Sequence, residues 1–156
     1  MLMSPIEANL QRLGIVLPAA PKPVAAYVPY VIANHLVVVS GQLPVQNGEL
    51  KFTGKVPTMI SVEHGQQAAR LAMINALAVL HSACAGDWTK VDRMVRLGVF
   101  VQCEADFIEQ ATVANGASNL LLEVFGPAGR HARAAVGVNA LPLGAAVELE
   151  LMVQIK

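Results

Sequence analysis

Apolar and polar residues alternate along the last ten residues of the chain. Aliphatic or methionine side chains fill most positions from 147 to 155, but Glu148, Glu150 and Gln154 stand at even positions among them. The aliphatic residues all fall at odd positions, and this period of two is typical of a β-strand with one face on a core. The pattern therefore predicts a strand that ends at about Ile155.

A second alternating segment precedes this strand, from 132 to 139. Its even positions are alanine and valine, whereas Arg133 stands on the other face among alanine, glycine and asparagine. Leu-Pro-Leu-Gly at 141–144 lies between the two segments and predicts a turn, because Pro142 restricts φ and Gly144 can adopt a positive φ. Together the segments predict a C-terminal β-hairpin with free space beside the long Arg133 side chain.

Prolines, glycines and helix-capping residues divide the rest of the chain. The predicted elements are a short helix from 5 to 14, a proline-rich surface linker at 18–23, strands at 27–32 and 36–40, a long helix at 61–84, a strand at 91–101 and a helix at 105–124. This order predicts an α+β fold, in which a mixed sheet carries both long helices on one face. With 156 residues we expect one domain, 1–156, with residues 1–24 as an N-terminal extension.

Composition excludes some classes of function. Hydrophobic residues make up 54% of the chain and charged residues 14%, which is apolar for a soluble monomer and predicts burial between subunits. The net charge is zero, and the aromatic residues are one Trp, two Tyr and four Phe. Without a basic surface or an aromatic platform, nucleic acid is not an expected partner.

Targeting and membrane signals are also absent from the sequence. No apolar run is long enough to span a bilayer, and the first residues lack the basic and apolar regions of a signal peptide. We therefore expect a cytoplasmic protein without a membrane partner. Cys84 and Cys103 do not have CxxC spacing, so both are expected to be reduced, buried thiols.

Common catalytic motifs are missing as well. The chain has no P-loop, GxGxxG, HExxH or GxSxG sequence. Its four histidines, at 35, 64, 81 and 131, are scattered over several elements, so neither a metal nor an organic cofactor is expected. His131 lies two residues before Arg133, and we assign it a solvated or structural role.

Arg133 is the strongest candidate for binding chemistry. A guanidinium among small side chains can hold a carboxylate through two parallel hydrogen bonds. The alternative is an ion pair with Glu148 or Glu150 across the hairpin. In the predicted register Glu148 faces Gly137, roughly 13 Å along the strand from Arg133, which favours a gap for a small molecule.

Several motifs resemble the RidA (YjgF) family. The sequence H-A-R-A-A-V-G-V-N-A-L-P-L-G-A-A-V-E-L-E at 131–150 is similar to the C-terminal signature of that family. Upstream, Tyr27 followed by S-G-Q-L-P at 40–44 resembles its other signature, and Asn115 falls where the family has a helical Asn. The resemblance covers nearly the whole chain from about Tyr27.

The resemblance implies a fold, an assembly and an activity. The fold would be chorismate-mutase-like, assembled as a homotrimer with central sheets and with clefts between subunits. The activity would be that of a 2-iminobutanoate/2-iminopropanoate deaminase, a hydrolase that converts enamine or imine intermediates of the 2-aminoacrylate type to 2-keto acids and ammonia. The expected partners are a small carboxylate and further copies of the chain.

The resemblance also implies roles for particular residues. Arg133 would hold the substrate carboxylate and Glu148 would position or deprotonate the water. The other expected binding contacts are the Tyr27 ring, the Ser40 hydroxyl, backbone groups of Ala135 and the side chain of Asn115. For Tyr27 and Glu148 a purely structural place on the surface of a strand remains an alternative.

Departures from the family pattern define a distinct subgroup. Ala25-Ala26 stands where deaminases of the family often have Gly-Pro, and Ala135 stands where they often have Cys. The N-terminal extension is a further difference. Two other functions therefore stay open: a non-catalytic protein that binds small carboxylates as a sensor or regulator, and an endoribonuclease or translation inhibitor.

Overall fold

The chain folds into a five-stranded sheet with helices on one face. The structure, a computed structural model, describes residues 2–20, 22 and 25–156. The strands are β1 (Tyr30–Ala33), β2 (Leu36–Gln42), β3 (Val45–Gln46), β4 (Glu49–Leu50), β5 (Val91–Gln102), β6 (Ala132–Val138) and β7 (Val147–Ile155). The helices are α1 (Pro5–Arg12), α2 (Val62–Ala83) and α3 (Gln110–Phe125).

The strand order in the large sheet is β1-β2-β7-β5-β6, while β3 and β4 form a separate hairpin. β6 runs parallel to β5, and the other neighbours in the large sheet are antiparallel. The predicted α+β class, with a mixed sheet and helices on one face, is therefore confirmed. The predicted first hairpin is also confirmed, although its first strand begins at Tyr30 rather than at Tyr27.

The predicted C-terminal hairpin is wrong. Both arms form strands and the turn has the expected positive φ at Gly144, but β5 lies between β6 and β7. The 12-residue β5 buries Met94, Leu97 and Val99 against the helices and pairs with both arms. Burying these side chains outweighs local pairing across the turn. Glu148 consequently lies opposite Phe100 and not opposite Gly137.

Aliphatic side chains on one face of the sheet form the core with α2 and α3. Val37, Leu97, Leu149 and Leu151 on the strands are almost completely buried. α2 begins at its predicted cap, where the Ser61 hydroxyl accepts a hydrogen bond from the His64 amide. Because residues on α2 are small or apolar on several sides, the helix packs against both the sheet and α3.

The N-terminal extension packs on the same layer of helices. α1 is capped by Ser4, whose backbone and hydroxyl exchange hydrogen bonds with Glu7. Asn9 donates a hydrogen bond of 3.0 Å to the Val124 carbonyl of α3, and Leu10 is buried. Met1, two residues of the predicted linker, Pro21 and Pro23, and the following Val24 lie outside the described residues.

The other face of the sheet carries polar and partly exposed side chains. We call it the open face, and its members include Val38, Ser40, Arg96, Phe100, Val136, Glu148, Glu150 and Met152. Side chains that are directly paired across neighbouring strands point to the same face. Arg133 pairs with buried Leu97 and therefore points to the helix side, whereas Glu148 pairs with Phe100 on the open face.

Candidate functional site

Arg133 is held at the edge of the sheet by two neutral oxygen atoms of α3. Its Nη1 donates hydrogen bonds to Asn115 Oδ1 at 2.9 Å and to Ser118 Oγ at 3.1 Å. Within the described residues it forms no ion pair with a carboxylate. The guanidinium thus keeps an uncompensated positive charge, and its remaining N–H groups are free to bind an anion.

A close approach between α2 and α3 sets the position of these oxygen atoms. A Cβ atom at Gly116 would overlap the carbonyl oxygen of Gln66 and lie 2.7 Å from its carbonyl carbon. Gln66 in turn donates a side-chain hydrogen bond of 2.9 Å to the Thr112 carbonyl. Glycine at 116 therefore lets the backbones touch, which fixes Asn115 and Ser118 on either side of it. We call Arg133, Asn115, Ser118 and His131 the arginine cluster.

The alternative that Arg133 pairs with a glutamate of β7 is wrong. Glu150 lies 3.3 Å from Arg96, and Glu148 lies on the open face, across the sheet from the arginine cluster. The physical reason is again the insertion of β5, which separates the two predicted arms. The small side chain of Ala135 stands beside Arg133 on β6, as the sequence predicts, and is half-buried.

Glu148 belongs to a second group of predicted site residues. Its carboxylate lies over the backbone of Gly41, where a Cβ would overlap Oε1 and stand 3.2 Å from Cδ. Burial, followed by the nearby negative charge of Glu150, raises the pKa of Glu148 above its ordinary value of 4.5. A carboxyl group with a raised pKa is suited to accept and return protons near neutral pH.

Ser40 lies next to Gly41 at the end of β2. Its hydroxyl donates a hydrogen bond of 2.6 Å to the Val28 carbonyl, and its amide donates one of 2.9 Å to the Pro29 carbonyl. These bonds fix the segment that follows Tyr27. We call Tyr27, Ser40, Gly41 and Glu148 the glutamate cluster.

A cavity of about 610 Å³ opens beside this cluster. Tyr27, which is 60% exposed, lines it together with Gly41, Leu43 and the start of the β3–β4 hairpin. Asn75 of α2 donates hydrogen bonds of 2.9 Å to the carbonyls of Leu43 and Val45 and so holds the cavity wall. The cavity is wide enough for a small metabolite.

The two clusters do not meet within one copy of the chain. Glu148 on β7 and Arg133 on β6 are separated by β5, or about 10 Å at the usual spacing between strands. They also lie on opposite sides of the sheet. The structure therefore brings together Arg133 and Asn115, and separately Glu148 and Gly41, which follows Ser40, but leaves the two groups apart.

Ser118 is a member of the arginine cluster that the sequence motifs did not predict. Ser118 is 9% exposed, and its hydroxyl contacts both Arg133 and His131. Two spacings carried this signal: Asn115 and Ser118 are three residues apart on a helix, and His131 and Arg133 are two residues apart at a strand. The structural role expected for His131 agrees with its two hydrogen bonds, to Ser118 and to the Gly129 carbonyl.

Other reactive groups do not extend the site. Cys84 and Cys103 are free and buried, as predicted, and burial raises the pKa of the Cys84 thiol. In the part of the chain that the structure describes, no three His, Cys, Asp or Glu side chains are arranged to hold a metal ion. None of the described helices combines the length and apolar character needed to cross a membrane.

Comparison with known proteins identifies the family. Residues 7–155 match the model of the family described as "YjgF/chorismate mutase-like, putative endoribonuclease". The chain belongs to this family. The RidA resemblance found in the sequence motifs is thereby confirmed, and so is the chorismate-mutase-like fold.

Individual relatives agree with this assignment. The chain is 48% identical over 151 residues to "Protein TCP17" of Trypanosoma cruzi, covering 96% of this chain and 94% of the relative. The crystal structure of Atu1372 from Agrobacterium tumefaciens, a protein of unknown function, matches with a TM-score of 0.92 and 45% identity over 97% of this chain and 93% of that one. TdcF of E. coli, solved with bound serine, matches with a TM-score of 0.61 and 27% identity over 86% and 92%.

Proposed function

We propose that this protein hydrolyses reactive enamine and imine intermediates of the 2-aminoacrylate type to 2-keto acids and ammonia. The observation that carries the proposal is the state of Arg133: a guanidinium fixed by two neutral oxygens and not neutralised by any described carboxylate. Such a group is suited to hold a substrate carboxylate through its free N–H groups.

The reaction needs few groups from the protein. The substrate imine carbon is already electrophilic, so water can add to it and form a carbinolamine. Glu148 accepts a proton from the attacking water and passes it to the imine nitrogen, which gives the carbinolamine. It then accepts the proton of the carbinolamine hydroxyl and passes it to the amine, which leaves as ammonia while the carbonyl of the keto acid forms. The raised pKa of Glu148 supports this role, and the step requires neither a redox change nor a metal.

Two copies of the chain are needed to complete the site. The arginine cluster and the glutamate cluster lie on opposite sides of one sheet, so a small substrate reaches both only between neighbouring copies. The open face also exposes apolar side chains such as Val136, 47% exposed. We propose a homotrimer with its sheets inside, in which Arg133 of one copy approaches Glu148 of the next.

In this proposal the remaining predicted residues bind the substrate around Arg133 and Glu148. β6 has β5 as its sheet neighbour on one side, so backbone groups on its outer side near Ala135 are available as hydrogen-bond partners. Asn115 holds the guanidinium at one end. Tyr27 covers the cavity beside Gly41, and the Ser40 hydroxyl lies at the same edge.

The test is the rate of keto-acid release while a serine dehydratase generates 2-aminoacrylate. The wild type should accelerate release, and Arg133→Ala should lower kcat/KM by roughly 10- to 100-fold, the equivalent of a charge-assisted hydrogen bond of about 1.5–3 kcal/mol. Arg130→Ala is the matched control because Arg130 is exposed three residues away. Release that is equally fast in Arg133→Ala and in wild type would refute the proposal.

Binding without catalysis is the second candidate function. The bound serine of TdcF favours a small ligand with a carboxylate in this family, whether or not it reacts. Calorimetric binding of pyruvate that requires Arg133, combined with no acceleration of keto-acid release, would support a sensor or regulator over an enzyme. Binding combined with acceleration would support the deaminase.

A further inference from the structure

We infer that His131 and Ser118 form a hydrogen-bonded relay that positions Arg133 for carboxylate binding. The inference rests on the proposed function, since it assigns a task to residues that touch the proposed carboxylate clamp. The contacts are Gly129 O to His131 Nδ1 at 2.7 Å, His131 Nε2 to Ser118 Oγ at 2.9 Å, and Ser118 Oγ to Arg133 Nη1 at 3.1 Å.

The chemistry of these contacts fixes the direction of each hydrogen bond. The Gly129 carbonyl can only accept, so Nδ1 of His131 must carry a proton. In the neutral imidazole Nε2 is then an acceptor, and the Ser118 hydroxyl donates to it. The oxygen of Ser118 is left with its lone pairs toward Arg133 Nη1, which donates. With a neutral imidazole, each group in this chain of contacts therefore has one role.

The backbone around Gly129 keeps this relay in place. A Cβ at position 129 would overlap the Leu121 carbonyl oxygen and lie 2.7 Å from its carbonyl carbon, so glycine is needed where this turn touches α3. From this position the Gly129 carbonyl accepts the 2.7 Å hydrogen bond from His131 Nδ1. α3 thus carries Ser118 on one turn. Its next turn, at Leu121, contacts Gly129, whose carbonyl orients His131.

The relay has a consequence for the guanidinium. Ser118 and Asn115 both occupy Nη1, which directs the other N–H groups away from α3. If Ser118 loses its acceptor at His131, its hydroxyl hydrogen is free to rotate toward Arg133 and weakens that contact. The guanidinium then has fewer fixed contacts and binds a carboxylate less well. The relay does not contact the reacting imine carbon.

A serine and a histidine in contact also suggest a nucleophile and its base. Two observations favour positioning instead. The Ser118 hydroxyl is buried within α3, and its oxygen already accepts a hydrogen bond from a cation, which lowers its nucleophilic character. The two assignments make different kinetic predictions, because loss of a nucleophile lowers kcat and loss of a positioning group raises KM.

The first test is the protonation state of His131 in the full-length protein without ligand. Long-range proton–nitrogen NMR spectra, with His131 assigned by comparison with His131→Gln, should show the Nδ1-protonated tautomer at neutral pH. Finding the proton on Nε2 would overturn the inference whether or not the protein is a deaminase. The Nδ1 tautomer in a protein without deaminase activity would instead refute the proposed function alone.

The second test compares variants in pyruvate binding and in the imine assay. Ser118→Ala and His131→Ala should each raise Kd and KM by about five- to tenfold and leave kcat within about twofold, as expected for one lost hydrogen bond. His131→Gln, whose amide can still accept from Ser118, should recover most of the affinity. The double variant Ser118→Ala/His131→Ala should be no weaker than either single variant, because both changes interrupt one relay.

Asn119→Ala is the control for folding, since Asn119 is exposed on the same helix. Circular dichroism should show that all variants keep the wild-type melting profile to within a few degrees. Unchanged Kd in Ser118→Ala would overturn the relay. A loss of kcat of about 100-fold at unchanged KM would also overturn it and assign Ser118 as a nucleophile.

Discussion

The arginine cluster and the glutamate cluster differ in how each holds its charged group. Arg133 donates hydrogen bonds to two neutral oxygens, so its positive charge is not neutralised. Glu148 is partly buried over Gly41 beside a second carboxylate. The first arrangement favours a fixed cation that can bind an anion. The second favours a group that exchanges a proton. A site that joins them would therefore separate binding from proton transfer.

Each cluster includes or adjoins a glycine, and the two glycines differ in whether they contact backbone or side-chain atoms. Gly116 touches the backbone of Gln66, which cannot move without shifting α2. Gly41 touches the end of the Glu148 side chain, which can rotate. Added volume should thus damage the helix layer at one cluster and displace a carboxylate at the other.

Gly116→Ala should have the largest effect on stability. The new Cβ has no space beside the Gln66 carbonyl, so α2 and α3 must separate, at a cost of about 3 kcal/mol. In a chain of this size that corresponds to a fall in melting temperature of roughly 6–12 °C. Thermal unfolding followed by circular dichroism measures it. Asn119→Ala, on the exposed side of α3, should melt like wild type; equal melting of Gly116→Ala would contradict the close approach.

The close contact between α2 and α3 could not be predicted from the sequence, although most of the helices and strands could. Strands and helices follow from alternation and capping, which are local signals, and β2, α2 and β5 lie close to their predicted ranges. The pairing of strands is not local. The turn at 141–144 looks like that of a hairpin, but the chain passes over the end of β5, where the Gln102 side chain accepts a hydrogen bond from the Leu141 amide at 3.1 Å.

The same limit applies to the candidate site. Arg133 and Asn115 were predicted from motifs, and the structure places them in contact. Ser118 was not predicted, because its contact with His131 depends on how α3 lies against the start of β6. The separation of Glu148 from Arg133 likewise depends on the strand order. Residue types and spacing identify candidate residues, but which of them share a surface depends on the strand order.

Glu148→Gln should have the next largest effect and should act in opposite directions on activity and on stability. Loss of the proton acceptor should lower kcat by about 100-fold in the imine assay, within the usual range for general base catalysis. Stability should rise at neutral pH. The folded state binds the Glu148 proton more tightly than the unfolded state, so ionisation of this group disfavours folding.

The pH dependence of unfolding distinguishes this from a simple packing effect. The contribution of Glu148 is absent below its ordinary pKa of 4.5 and becomes destabilising as the pH rises from there through its raised folded pKa. Urea unfolding of wild type and Glu148→Gln should therefore diverge as the pH increases through that interval. A difference in the free energy of unfolding between the two proteins that is the same at pH 4 and at pH 8 would show that burial of Glu148 is not costly. Glu104→Gln, a carboxylate away from the open face, is the control.

Glu150→Gln should have the smallest effect and tests the charge environment of the glutamate cluster alone. Glu148 and Glu150 stand two residues apart on one face of β7, about 7 Å at the usual rise, and the negative charge of Glu150 raises the pKa of Glu148. The substitution should lower that pKa, both by removing this charge and by releasing Arg96 from its 3.3 Å pair. Because the active form of the proposed base is ionised, the acidic limb of the kcat/KM profile should move to lower pH.

The plateau of the kcat/KM profile should change little, since an exposed pair of this kind contributes only about 0–1 kcal/mol. Glu123→Gln, which breaks the ion pair between Arg70 of α2 and Glu123 of α3, should leave the acidic limb in place. A limb that moves to higher pH in Glu150→Gln, or one that moves equally in both variants, would show that the glutamate cluster does not control the proton transfer.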